Sequence, residues 1–180
     1  PERDPDCAAP EHLEGLSATV CDLSADLGIA FDGDGDRVAC CDGGGTVLTA
    51  EQVTWVLLHS FASELPGQTT VHDVKMSDLV LHTAGRLGAR PVVERSGHAF
   101  IRARMLEAGA RFGAELSGHY FYRELQGGDD GLFTACRLLD FLAAEQRTLR
   151  DLRLACPPVF TTPDLRLPIR GDEQDRLIVA

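Results

Sequence analysis

Lysine is almost missing from this chain: Lys75 is its only one, and every other basic residue is arginine. Basic residues are scarce altogether, 17 against 28 acidic ones, for a net charge of −11 and a pI near 4.9. Such a field repels nucleic-acid phosphates and excludes a nucleic-acid partner. It repels any other phosphate too, unless the binding site is locally basic or bridged by a metal. No apolar run approaches the roughly 18 residues that cross a bilayer, so a membrane-spanning helix is not expected. A signal peptide before the first domain is not expected. The six cysteines include no C-x-x-C pair, and Cys40 and Cys41 are adjacent. They read as reduced, mostly buried thiols of a cytoplasmic protein. An initiator methionine is absent as well; with Pro1 in first place, the expectation is a processed or excised piece of a longer chain.

The rest is ordinary for a globular protein, with 44% hydrophobic and 25% charged residues. At 180 residues the chain can bury one core, or one complete domain with part of another. Apolar spacing at Leu13, Leu16, Val20 and Leu23 predicts a helix, and Leu27–Phe31 a short strand. Val38–Cys41 and Val47–Leu48, around Gly43-Gly44-Gly45, predict a hairpin. Beyond residue 50, helices (51–64, 77–87, 98–108, one capped by Asp129 or Asp130 and running to about 145, and 149–155) alternate with strands (69–74, 90–94, 110–115, 119–123). That alternation predicts an α/β fold with a mixed, mostly parallel sheet flanked by helices, preceded by part of a second α/β domain. The expected divisions are 1–45, 46–160 and a linker with an alternating strand (Leu165, Leu167, Ile169) at 161–180.

The most informative stretch is Ala30-Phe31-Asp32-Gly33-Asp34-Gly35-Asp36-Arg37. Three carboxylates at alternate positions repel one another unless a cation sits among them, and the intervening glycines let the backbone curl them towards one point. All the ligands are hard oxygens, which suits Mg²⁺ or Ca²⁺ better than zinc or copper. The ordinary alternative, a solvated acidic turn, needs neither a third Asp nor a strand feeding it. An EF-hand fails on its register: counted from Asp32, the sixth position holds Arg37 instead of Gly and the twelfth Gly43 instead of Glu. Arg37 can reach a phosphate bidentately or pair with a neighbouring Asp.

A second pattern is internal. Ser-Gly-His-x-Phe occurs twice, at Ser96–Phe100 and Ser117–Phe121, each time after a predicted strand. This sets His98 and His119 at the C-terminal rim of a sheet, where α/β proteins gather ligands. Either alone reads as a turn histidine satisfied by the backbone; two in matching contexts point to function. Glu115 and Ser117 offer an acceptor and a donor two residues apart, able to grip adjacent hydroxyl groups of a ligand. Lys75, at a strand end, is a candidate general acid/base or phosphate ligand.

The acidic loop closely resembles the metal loop of the phosphohexomutases, the phosphomannomutase/phosphoglucomutase superfamily. Ala114-Glu115-Leu116-Ser117-Gly118-His119 resembles that family's sugar-recognition loop, with Ala114 where glycine is usual. His72–Lys75 and Gly97–Ile101 resemble two further segments, in the same order. The resemblance spans about residues 27–163 and implies a segment covering the end of domain II and all of domain III. It further implies an isomerase interconverting hexose 1-phosphate and hexose 6-phosphate through a phosphoserine and a bisphosphate. Asp32, Asp34 and Asp36 match the Mg²⁺ ligands, Glu115 and Ser117 the sugar contacts, and Lys75, His98, His119 and Arg37 the catalytic positions. Leu116 resembles phosphomannomutase/phosphoglucomutase members more than glucosamine-phosphate ones. The nucleophile loop with its Ser-His pair is missing, as is the Arg-x-Ser-Gly-Thr segment of domain IV. The expected partners are therefore a hexose phosphate and the absent domains I and IV, and the chain alone is expected to be inactive. The alternatives are a natural truncated Mg²⁺- or sugar-phosphate-binding module and an interaction domain with a vestigial site.

Overall fold

The computed structural model describes residue 7 and residues 10–159. The strand expected at Leu165–Ile169, the linker at Pro163 and most of the N-terminal entry lie outside the described residues. Helix α1 (Glu14–Leu23) follows a 3-10 turn at Pro10–Leu13 and lies on a two-stranded antiparallel sheet, β1 (Leu27–Phe31) and β2 (Val38–Asp42). Their register runs from Leu27↔Asp42 to Phe31↔Val38, so residues 32–37 are the hairpin turn. On its other edge β2 meets Val47–Leu48 in the short hairpin expected around Gly43-Gly44-Gly45, through the Cys41↔Val47 bridge and a hydrogen bond from the Leu48 N–H to the Cys40 carbonyl at 2.8 Å. The buried Asp42 carboxylate shapes its turn, accepting from the N–H groups of Gly44 (2.9 Å) and Thr46 (3.1 Å).

The remaining elements are α2 (Ala50–Ser60), β3 (Thr69–Asp73), α3 (Asp78–Arg86), β4 (Arg90–Glu94), α4 (His98–Ala108), β5 (Phe112–Ala114), β6 (Tyr120–Tyr122), β7 (Gly128–Asp129), α5 (Gly131–Glu145) and α6 (Leu149–Ala155). Helix starts follow local chemistry. Thr49 and Gln52 form a capping box on α2, Thr148 and Asp151 another on α6, and the Asp130 side chain accepts from the Phe133 N–H to cap α5. Five strands make one mixed sheet in the order β4-β3-β5-β6-β7. β3 pairs with β4 and β5 in parallel, while β5–β6 and β6–β7 are antiparallel.

Side-chain alternation along these strands divides the core between two helical layers. Val71 and Phe121 pack on one face against Ile101 and Met105 of α4. Phe112, Tyr120 and Tyr122 pack on the other, with Leu57 of α2, Val80 of α3, Leu138 of α5 and Leu149 of α6. The result is an α/β/α sandwich. The helices tie the N-terminal hairpin to it: Asp42 accepts from Arg153 Nε of α6 at 2.6 Å, and the Gly131 N–H of α5 donates to the Gly35 carbonyl at 3.0 Å.

Candidate functional site

Parallel pairing of β3, β4 and β5 brings their C-terminal ends to one edge of the sheet, with Asp73 beside Glu94 and His72 beside Ala114. The loops after these strands carry Lys75, Ser96–His98 and Glu115–His119, so the strand order alone gathers three of the predicted segments. The acidic turn reaches the same edge from the other sheet. The Val38 N–H donates to the Gly118 carbonyl (3.2 Å), and Arg37 and His119 form an antiparallel bridge.

Asp32 organises the acidic turn. Its Oδ1 accepts from the N–H groups of Gly35 and Arg37, both at 3.1 Å, and its Oδ2 accepts from Arg37 Nε at 2.7 Å. Burial pushes the Asp32 carboxyl up, but the Arg37 guanidinium and these N–H groups outweigh it and hold its pKa below the usual range. Arg37 thus makes the pairing with a neighbouring Asp that its sequence position allowed. One carboxylate oxygen from each of Asp32, Asp34 and Asp36 lies within 4.8 Å of the others. The Asp36 pKa is raised, by burial and then by the negative charges of Asp32, Asp34 and Asp129, with His119 opposing. Crowded hard oxygens whose mutual repulsion shows in this way fit a divalent cation such as Mg²⁺.

Glu115 and Ser117 lie in the turn expected between the two strands; the Gly118 N–H closes it on the Glu115 carbonyl at 3.1 Å. Both side chains converge on one imidazole. Ser117 Oγ lies 2.7 Å and Glu115 Oε2 3.3 Å from His119 Nδ1. Burial lowers the His119 pKa, yet Glu115, Asp36 and Asp129 outweigh it and raise the pKa above its ordinary value. Burial likewise raises that of Glu115, and the His119 and Ser117 hydrogen bonds bring it below the carboxylate range. His98 opens α4, and its ring centroid is 5.9 Å from that of His119. Positive φ at Gly97 (127°) and Gly118 (95°) accounts for the glycine before each histidine. The internal repeat therefore brings its two imidazoles together. Lys75 is exposed in the turn after β3, with its N–H donating to Asp73 Oδ1 at 3.0 Å.

Two acidic residues here were not singled out from the sequence. Asp73 is buried and accepts from Ser96 Oγ (2.5 Å) and the Leu116 N–H (3.3 Å) as well as from Lys75, joining all three rim loops. Asp129 lies on β7, its Oδ1 3.1 Å from His98 Nε2 and its Oδ2 3.9 Å from His119 Nε2. The signal for Asp129 was present: two adjacent aspartates precede α5, one cap suffices, and Asp130 supplies it.

A family model for phosphoglucomutase/phosphomannomutase, alpha/beta/alpha domain III, matches residues 49–160, and that for domain II matches residues 1–45. The chain is 36% identical over 181 residues to a phosphomannomutase/phosphoglucomutase of Pseudomonas aeruginosa, covering 100% of this chain and 39% of that protein. It is 32% identical to a phosphoglucomutase of Neisseria gonorrhoeae, over 94% of this chain and 37% of the relative. A crystal structure of a phosphoglucomutase/phosphomannomutase family protein from Burkholderia thailandensis superposes with a TM-score of 0.84 at 32% identity, over 91% of this chain and 36% of that one. The chain spans about two-fifths of the length of the curated relatives it matches.

Proposed function

Because the chain belongs to the phosphoglucomutase/phosphomannomutase family, we propose that it is the metal- and sugar-binding segment of a phosphohexomutase. The whole enzyme interconverts hexose 1-phosphate and hexose 6-phosphate through a phosphoserine and a bisphosphate intermediate. Residues 1–45 would close domain II, 46–160 form domain III, and 161–180 lead towards domain IV. The nucleophilic serine and the phosphate-gripping loop would come from domains I and IV.

One observation carries this reading: Asp32, Asp34 and Asp36 gather their oxygens within 4.8 Å at the same sheet edge that holds Glu115, Ser117 and the paired histidines. In this reading the three aspartates hold Mg²⁺, which supplies charge neutralisation to a phosphoryl group in transfer. Arg37, anchored through Nε to Asp32, adds positive charge beside the phosphate. Glu115 and Ser117 grip hexose hydroxyls and fix the Nδ1 side of His119, leaving Nε2 to hold or take a sugar-hydroxyl proton. His98 and Lys75 contribute further proton-transfer or phosphate-binding groups from the same edge.

Titration calorimetry with glucose 1,6-bisphosphate and Mg²⁺ tests the assignment. The chain should bind the bisphosphate, and Glu115→Gln and Ser117→Ala should each weaken it about tenfold, the worth of one hydrogen bond to a charged group. A coupled assay with glucose 1-phosphate should give no product from this chain alone. Absence of binding, or unchanged affinity in both variants, contradicts the sugar site; turnover by the chain alone contradicts a nucleophile supplied from elsewhere.

A further inference from the structure

A second group of donors overlaps the three-aspartate loop. Asp36, His119 and Asp129 each offer a ligand atom, and the three lie within 4.8 Å of one another. His119 Nε2 is 3.4 Å from Asp36 Oδ1 and 3.9 Å from Asp129 Oδ2, both too long for a hydrogen bond. The first matches the spacing of two ligands on a small cation, and the second is wider and closes on it with a small movement of Asp129. Metal bonds of roughly 2.0–2.1 Å at a tetrahedral angle put ligand atoms about 3.3–3.4 Å apart.

Asp129 supplies the second observation. Its side chain is only 7% exposed, and its Oδ2 is buried with no hydrogen-bond partner among the described residues, although it points at His119. A carboxylate oxygen left bare in the interior is destabilising unless something occupies it. The surroundings are those of a ligating histidine. His119 Nδ1 is engaged by Ser117 Oγ at 2.7 Å, with the Glu115 carboxylate 3.3 Å away, which directs the Nε2 lone pair towards the two aspartates. Asp129 Oδ1 is in turn held by His98 Nε2 at 3.1 Å, orienting Oδ2 inward.

We propose that Asp36, His119 and Asp129 form a second cation site, next to the three-aspartate loop and sharing Asp36 with it, that takes a borderline transition-metal ion such as Zn²⁺ or Co²⁺. The imidazole decides the preference. A mixed nitrogen and oxygen set suits Zn²⁺ and Co²⁺, whereas Mg²⁺ selects oxygen alone. Three protein ligands leave a position open to water or to an oxygen of a bound sugar phosphate. The inference rests on donor geometry, and an ion bound there takes the His119 Nε2 lone pair that the mutase reading uses for proton transfer, so the two occupy the site in turn.

Co²⁺ is the probe, added to the full chain after alkylation of the exposed Cys21 and Cys136. The visible d–d absorption should be that of four- or five-coordinate Co²⁺, and Zn²⁺ should abolish it while Mg²⁺ at the same concentration does not. Side-chain ¹⁵N spectra of the unmutated protein should show the His119 Nε2 resonance shifting on Zn²⁺ addition. His119→Gln and Asp129→Asn should each weaken the ion at least tenfold, and Glu115→Gln about tenfold through the orienting contact. Asp34→Asn should leave the Co²⁺ spectrum in place while weakening Mg²⁺, separating this site from the loop. An octahedral spectrum, an unmoved His119 resonance, or a signal retained in both His119→Gln and Asp129→Asn overturns the proposal.

Discussion

Replacing Gly131 by alanine puts a methyl group where the acidic turn rests on the first turn of α5. A Cβ at this position would lie 2.7 Å from the Gly35 carbonyl oxygen and 2.9 Å from that of Arg37, both backbone atoms of the turn. Neither can swing aside as a side-chain tip would, so the turn must lift and the hydrogen bond from the Gly131 N–H to Gly35 (3.0 Å) lengthens. Overpacking of this kind costs about 1–3 kcal/mol. The propensity gained by alanine in a helix returns at most about 1 kcal/mol. The net expectation is a loss of about 1–2 kcal/mol, or roughly 2–8 °C in Tm for a chain of this size. Gly85, inside α3 with nothing within 4 Å of its would-be Cβ, is the internal control. Gly85→Ala should be stabilising by about 0.5–1 kcal/mol. Urea unfolding of both variants gives the difference, and Mg²⁺ titration of the first should show weaker binding because its ligands sit on the lifted turn. A Gly131→Ala protein as stable as the parent, with unchanged Mg²⁺ affinity, would refute the claim that α5 seats the metal loop.

Burial lowers the pKa of His72 to about 3, so its stabilising neutral form is challenged by acid. The unfolded histidine binds a proton near 6.5, so this contribution is complete above that pH. It is lost as pH falls towards 3, at about 1.4 kcal/mol per unit. Urea unfolding at pH 7 and pH 5 should differ by about 2 kcal/mol more in the parent than in His72→Gln; equal differences would exclude the group. Asp42→Asn removes the carboxylate held by Arg153 Nε at 2.6 Å and should cost about 2–3 kcal/mol by thermal unfolding, since Arg153 is only one-fifth exposed and keeps its charge. An unchanged Tm would show that the hairpin does not depend on α6. Asp73→Asn should reduce sugar-bisphosphate affinity about tenfold by loosening its contacts to Ser96 and Leu116, as read by calorimetry. Parental affinity would show that the rim loops hold their places without it.

Much of this molecule was legible in its residues because the signals were local. β1 at Leu27–Phe31, β4 at Arg90–Glu94 and α4 at His98–Ala108 fall where apolar periodicity and the Gly97 and Gly109 punctuation placed them. The convergence of His98 with His119 could be anticipated from the duplicated Ser-Gly-His-x-Phe, since each copy follows a strand of one sheet. What escaped notice depends on long-range pairing. The short hairpin of β2 with Val47–Leu48 was legible from its glycine turn, whereas the pairing of the other edge of β2 with β1 across the acidic turn was not. Asp73 and Asp129 sit in segments that had been noted, yet their partners Ser96, Leu116, His98 and His119 are 23, 43, 31 and 10 residues away. A carboxylate at a strand end announces a turn; only the assembled edge shows which loops it joins.

Crystals grown with Mn²⁺ in place of Mg²⁺, measured at the manganese absorption edge, give the most direct test of the metal loop. An anomalous peak bonded to oxygens of Asp32, Asp34 and Asp36 is the predicted result. A protein saturated with Mn²⁺ that shows no peak among these three carboxylates would contradict the account.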